Sequence, residues 1–268
     1  MKVISWNLGE GLRAAGAAAF DDALVDEDRG TAAAHFLADE RPDIVALQGL
    51  VGWTVESLHD LAQLAELPHL RLFEAEGGEL HQALLARTPL RHPMRLSEPL
   101  GEMGEWWQRR TLLHGAFAAE VRGLHVVTVH LSLASALLRR REAEFLAAKL
   151  PRQRGLVLGT LHAIRREERT HTLERCLPAD ATGCFPRRED VSAVELLLGA
   201  GYVDAGEASA QGNTVWPCPE HDEDLLLRLD YALHTPGLEV TSFAVRDTLE
   251  LRTCSYHFPL VLHLDGST

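Results

Sequence analysis

Short apolar runs of strand length recur along the chain, at 3–6, 43–47, 83–86, 112–119, 124–131, 155–158, 228–233 and 257–264. Most are bounded by Gly, Pro or Asp, and each predicts a strand. Stretches with helical spacing lie between several of them, at 30–40, 54–66, 134–150 and 190–200. In the last, Asp190 is placed to cap the helix and Gly199 or Gly201 to stop it. Within 134–150, Ala134, Leu137, Leu138, Phe145, Leu146 and Leu150 predict the face that lies on a sheet, with the Arg-Glu run in water. Strands alternating with helices, without a composition break, predict one α/β domain spanning residues 1–268. Its loops at 8–30, 97–108, 163–189 and 205–225 are long, as functional rims often are.

Composition adds little, being 46% apolar and 24% charged. No apolar run approaches the roughly 18 residues of a membrane helix, and the chain enters a strand at once without a signal-peptide pattern. Cys176, Cys184, Cys218 and Cys254 form no CxxC, so reduced thiols and a cytoplasmic location are expected. The net charge of −13 is more informative. A protein that binds nucleic acid through its overall charge is usually basic, so this excess argues against generic DNA binding. The charge is uneven, however. Acidic residues dominate 21–40, and Arg139, Arg140, Arg141, Lys149, Arg152, Arg154, Arg165, Arg166 and Arg169 dominate 139–169. Two solvated helix faces are the simpler reading, and a nucleic-acid track is the alternative.

Five segments, in order, carry the chemistry. They are "MKVISWNLGEGLR", "PDIVALQGL", "HVVTVHLSL", "GLVLGTLHA", and "RLDYALH" followed by "CSYHFPLVLHL". Together they resemble the endonuclease/exonuclease/phosphatase superfamily, the Mg-dependent phosphoesterases that include DNase I-like nucleases and abasic-site endonucleases. The resemblance implies a four-layer α/β sandwich, with two mixed β-sheets packed face to face and helices outside. It also implies roles. Asn7 and the residue at position 49 would hold the metal, positions 160 and 162 would align nucleophile and phosphate, and His130 would contact a phosphate oxygen. Asp230 would orient the catalytic base His257, and position 256 would supply another metal-side carboxylate.

Four of those positions depart from the family pattern: Gly49 stands for Glu, Thr160 for Asp, His162 for Asn and Tyr256 for Asp. Four agree, namely Asn7, His130, Asp230 and His257. Magnesium is normally anchored by one or two carboxylates, and the aligned set keeps only Asp230. Tight Mg binding in the family geometry is therefore not expected, and hydrolysis would lose a charge clamp worth several kcal/mol. Thr160 does not ionise near neutral pH and cannot serve as a base.

Three compensations are conceivable. Glu10, Glu56 or Asp60 would bring in a carboxylate, though solvent-facing positions are the simpler reading for all three. His130, His162 and His257 with Asp230 would suit Zn or Mn better than Mg, with Asn7 and His162 as ligands. Alternatively the histidines hold an anion without metal, with affinity falling as pH rises through about 6.5. Trp106-Trp107 with Arg109-Arg110 would make a base-stacking rim or ordinary loop packing.

Two functional expectations follow. One is a pseudoenzyme that binds a phosphate ester, nucleic acid or a protein partner through Asn7, Thr160 and His162. The other is an active phosphodiester or phosphomonoester hydrolase with a rebuilt, His-richer metal site. If only side chains have been exchanged, restoring all four would restore Mg binding.

Overall fold

The computed structural model describes residues 1–9, 27–75, 80–96, 112–133, 135–165, 192–207, 213–215 and 228–265. Among them are twelve strands in two six-stranded mixed sheets. The first sheet has the order β11 (Val240–Val245), β12 (Leu260–Leu264), β1 (Lys2–Asn7), β2 (Ile44–Leu50), β4 (His81–Ala86), β3 (His69–Phe73). The second runs β5 (Arg91–Arg95), β6 (Ala116–Val121), β7 (Leu124–His130), β8 (Gly155–Thr160), β10 (Asp230–His234), β9 (Val203–Asp204). Only β1 with β2 and β7 with β8 pair in parallel.

Period-2 alternation sorts the side chains into three apolar layers. Val3, Ile44, Leu84, Phe117, Val126, Leu156, Leu158 and Leu260 meet between the sheets. Ile4, Trp6, Val45 and Leu47 face outward on the first sheet. There they pack on α1 (Glu27–Glu40), α2 (Val55–Leu64) and α5 (Leu249–Cys254). Val127, Val129, Val157, Tyr231 and Leu233 do the same on the second sheet, under α3 (Ala136–Lys149) and α4 (Ser192–Gly199). The result is the helix–sheet–sheet–helix sandwich that the resemblance implied.

The inner face of each central strand changes character along its length, and this places the site. Val3 gives way to Ser5 and Asn7, Ile44 and Ala46 to Gln48, Val126 to Thr128 and His130, and Leu156 and Leu158 to Thr160. On the antiparallel strands Leu84 is followed outward by Gln82, and Ala232 by Asp230. Every polar residue of these sets is buried. One end of the inter-sheet space is therefore polar, at the C-terminal ends of the parallel strands.

The helix at 134–150 is present but turned differently from its apolar pattern. Leu137 is 62% exposed, while Arg139 and Glu142 are buried with Ala143 and Leu146. The two charged groups are satisfied by backbone. Arg139 Nη1 donates to the carbonyls of Ser132 and Leu133 at 2.9 and 3.2 Å. Glu142 accepts from the amides of Ser132 and Leu113 at 2.7 and 2.9 Å. Most of the basic run is likewise engaged. Arg140 pairs with Glu144, Arg152 and Arg154 donate to backbone carbonyls, and Arg165 meets Asp204 and Glu207. Arg166 and Arg169 lie outside the described residues. Among the described residues no helix is long and apolar enough to cross a membrane.

Gly159 is what allows β7 and β8 to approach at the polar end. Its φ is +142°, and a Cβ there would fall 1.9 Å from the Val129 carbonyl oxygen. We expect Gly159→Ala to lower stability by about 3 kcal/mol, and Gly237→Ala, where a Cβ meets nothing within 4 Å, to change it little. Urea denaturation midpoints of the two variants give the comparison.

Candidate functional site

At the polar end, β1 and β8 are joined across the gap between the sheets. Asn7 Nδ2 donates to Thr160 Oγ1 at 2.8 Å, and that hydroxyl donates to Asp230 Oδ1 at 2.6 Å. Thr160 and Asp230 are direct partners in the β8–β10 register, so strand pairing alone brings them together. The other oxygen, Oδ2, lies 2.7 Å from His257 Nδ1. A carboxylate can only accept, so His257 carries its proton on Nδ1 and leaves Nε2 as the free base nitrogen. Asn7 Nδ2 lies 3.5 Å from that nitrogen.

His257 is held independently of Asp230. Its amide donates to Ser255 Oγ at 3.0 Å, and the Ser255 hydroxyl in turn donates to the Asn7 carbonyl at 2.8 Å. Trp6 Nε1 donates to the His257 carbonyl at 3.0 Å. Thr214, from the "NTVWP" segment, accepts from the Asp230 amide at 3.1 Å and bonds the Phe258 amide through its carbonyl at 2.8 Å. Arg228 belongs to a different network. It forms a buried bidentate pair with Asp204 and lies over the Tyr231 ring at 4.6 Å, fastening an edge of the second sheet rather than the pocket.

The remaining sequence candidates converge on the same place. His130 Nε2 is 3.0 Å from His162 Nε2. The rings of His114, His130, His162 and His257 form a row with successive centroids 5.3, 5.1 and 6.5 Å apart. Desolvation is the main reason the His130 and His162 pKa values fall well below 6.5, with neighbouring histidines adding to it; burial also lowers that of His114. His130 and His162 are thus neutral at neutral pH. An anion site dependent on imidazolium charge at His130 and His162 would require acid well below pH 6.5.

None of the four altered positions is an empty place. Gly49 sits in a β-bulge between β2 and β4 with φ +69°. A Cβ there would fall 2.3 Å from Asn7 Oδ1. Thr160 is the link described above. His162 has φ +47°, a left-handed conformation that Asn and His both tolerate better than most residues. Tyr256 packs on His257, with ring centroids 4.7 Å apart, and covers Gly9, where an added Cβ would meet its ring at 2.7 Å.

Magnesium does not fit this donor set. Asn7 Oδ1, the implied ligand atom, accepts from the Gly9 amide at 2.9 Å. Both oxygens of Asp230, the one carboxylate in the aligned set, accept from Thr160 and His257. Nor do His130, His162, His257 and Asp230 assemble a Zn or Mn site, because the first two histidines turn their Nε2 atoms on each other. Among the described residues no group of three or more His, Cys, Asp or Glu is arranged to hold a metal ion. Glu56 and Asp60 face solvent on α2, as solvent-facing helix residues. Glu10, Trp106, Trp107, Arg109 and Arg110 lie outside the described residues, as do Cys176, Cys184 and Cys218; Cys254 is buried and free.

Sequence reading missed His114, Gln82 and Thr128. Gln48 Nε2 donates to Thr128 Oγ1 at 3.0 Å, Thr128 donates to Gln82 Oε1 at 3.0 Å, and Gln82 Nε2 donates to the carbonyls of His114 and Gly115. This is a second polar link between the sheets, beside the first. For Gln48, Gln82 and Thr128 the signal was available: each falls on the inner face by period 2, two positions from an apolar one; His114, before β6, has no such signal.

Comparison with solved structures places the fold. An AP endonuclease from Archaeoglobus fulgidus superposes with a TM-score of 0.72 at 15% identity, covering 99% of both chains. A 3′-5′ exonuclease from Neisseria meningitidis gives 0.67 at 18% identity, over 99% of this chain and 100% of that one. An endonuclease/exonuclease/phosphatase from Beutenbergia cavernae gives 0.64 at 19% identity, over 99% of this chain and 72% of its own. No family model matches the sequence, and no curated protein matches it either. The chain has the DNase I-like fold. It is the fold shared by the endonucleases, exonucleases and phosphatases of that superfamily.

The neutral pair, His130 and His162, has a consequence for stability. Each histidine that binds a proton when unfolded, below about pH 6.5, but not when folded lowers stability as pH falls, by up to about 1.4 kcal/mol per pH unit. That loss continues down to the lowered folded pKa. Glu142, raised by burial from 4.5 to about 7, acts oppositely: the folded state holds its proton between those values, so its contribution to stability grows as pH falls. We therefore expect His162→Asn to make the fall in stability below pH 6.5 shallower than in wild type by about 1.4 kcal/mol per pH unit. Urea melts between pH 5 and 8 measure this slope.

Proposed function

We propose that this protein acts by binding a phosphate-bearing ligand, a nucleic acid or a phosphate ester, and not by Mg-dependent hydrolysis. The observation that carries this reading is the closed hydrogen bonding of the centre. Asn7 Oδ1, the implied metal ligand, accepts from Gly9, and both oxygens of Asp230, the one carboxylate of the aligned set, accept from Thr160 and His257. The replacements fit one another, with Thr160 bridging Asn7 to Asp230 and Tyr256 over Gly9. In this reading Asn7, Thr160 and His162 line the ligand pocket with His130, and the contacts are hydrogen bonds from neutral groups. The nuclease and phosphatase likenesses support the ligand class; one Neisseria 3′ phosphatase among them is bound to a product DNA hairpin.

One observation favours a second reading. His257 and Asp230 keep the geometry of a general-base pair, with the tautomer fixed and Nε2 free of a strong partner. In that reading the protein is a phosphoric-ester hydrolase, with His257 as base, Asp230 orienting it and His130 on the phosphate.

The two readings separate in one assay. Purified protein is incubated with a chromogenic phosphodiester and phosphomonoester, with and without Mg, Mn or Zn, beside His257→Ala. We expect no turnover above the variant; turnover lost in His257→Ala selects the hydrolase. In parallel, a fluorescent DNA oligonucleotide is titrated by anisotropy, with inorganic phosphate as competitor. Saturable, phosphate-competed binding is expected, and its absence for both probes overturns the binding reading.

Restoring the family residues should not restore the metal. Gly49→Glu must leave the bulge conformation or displace Asn7, and Thr160→Asp sets a second carboxylate against Asp230. We expect the quadruple variant Gly49→Glu, Thr160→Asp, His162→Asn, Tyr256→Asp to lose about 3 kcal/mol of stability and to show no Mg heat signal by calorimetry.

A further inference from the structure

The molecule outside the site offers a shallow groove between α3 and α4, a few exposed apolar side chains, and one buried carboxylate with no part in the proposed ligand pocket. The groove, about 530 Å³ and lined by Arg140, Ser192, Glu195 and Leu196 among others, has nothing on it to say what would cover it. The carboxylate belongs to Glu142, and it lies where two site segments meet.

Leu113 and Ser132 are far apart in sequence. His114 directly follows the first, and His130 ends β7 two residues before the second. The Glu142 carboxylate takes one oxygen to each: Oε1 accepts the Leu113 amide at 2.9 Å and Oε2 the Ser132 amide at 2.7 Å. Arg139, one turn earlier on α3, binds the other side of the same loop through the carbonyls of Ser132 and Leu133. One side chain thus ties together the two segments that carry neighbouring rings of the histidine row, His114 and His130, 5.3 Å apart.

We infer that Glu142 is a positioning residue for the row, and that its protonation state sets the spacing of His114 and His130. An ionised carboxylate can accept at both oxygens at once, whereas a carboxylic acid turns one oxygen into a donor. Facing an amide N–H, that donor has nothing to accept it, so one of the two ties must loosen. The transition is set near neutrality because burial raises the Glu142 pKa to about 7, against the lowering effect of the two amides and of Arg139. Of the charged groups among the described residues, only Arg139 on the same helix bears on it. The segment after β7 and the segment before β6 present amides, together with His130 and His114, whose pKa values burial lowers. Above pH 7 both ties hold; below it one gives way. The arrangement operates whether the pocket binds or hydrolyses its ligand.

The experiment is an NMR pH titration of the full chain, with ¹³Cε1-labelled histidine and ¹³Cδ-labelled glutamate, between pH 5 and 8.5. A buried glutamate should titrate near pH 7, and the His114 and His130 ring carbons should move with the same midpoint. In Glu142→Gln, an isostere of the protonated acid, both inflections should vanish and the rings should keep their low-pH positions at every pH. Glu144→Gln, which removes the exposed Arg140–Glu144 pair on the same helix, serves as control and should leave the inflections intact. Histidine inflections that persist in Glu142→Gln overturn the inference, as does a wild type with no glutamate midpoint between about 6 and 8. If Glu142→Gln proves unfolded by circular dichroism, the wild-type midpoints of the glutamate and of the two rings still decide: unequal values overturn it.

Discussion

The hydroxyl of Thr160 holds this structure's polar end together. It accepts from Asn7 on one sheet and donates to Asp230 on its own, so a single oxygen joins the two sheets beside their apolar packing, the Gln48–Thr128–Gln82 link and the Asp230–His257 bond. Asp230 then fixes the tautomer of His257, and His257 is carried by the loop that leads back into β12. Remove the hydroxyl and Asp230 is left with one partner, buried, while Asn7 is left with an unsatisfied amide donor; both carry a substantial desolvation cost.

A metal-centred site arranges charge differently. There, several carboxylates repel one another and the cation makes their proximity tolerable. This chain has no such crowd of carboxylates, with Gly49, Thr160, His162 and Tyr256 at the four places. The surviving carboxylate is then satisfied by protein donors. The polar groups most directly around Asp230 answer one another without a bound ion, which is the physical content of the binding reading.

Much of this was legible in the sequence, and the failures have a common cause. The eight apolar runs each mark a strand that is buried on both faces or nearly so. The four strands that left no such run, β3, β5, β9 and β11, are the four edges of the two sheets. An edge strand lacks a neighbour on one side and is partly open to water, so "RHPMR" and "VTSFAV" need no continuous apolar stretch. The face of α3 was misjudged for a related reason. Hydrophobic spacing assumes that charge belongs in water, whereas Arg139 and Glu142 are buried against loop amides and carbonyls that no periodicity reveals. The candidate residues could be chosen from the sequence because motif order fixed their places. What motif order did not carry was the backbone at position 49, since a missing side chain reads the same whether or not room remains for it.

That backbone makes position 49 one-sided. A glycine in an extended strand can be exchanged for a larger residue at little backbone cost. Here the bulge holds a left-handed φ and Asn7 Oδ1 lies 2.3 Å from where a Cβ would stand, so any larger residue meets a strained backbone and an occupied volume together. The demand for glycine at this point is written in a torsion angle as much as in the neighbouring side chain.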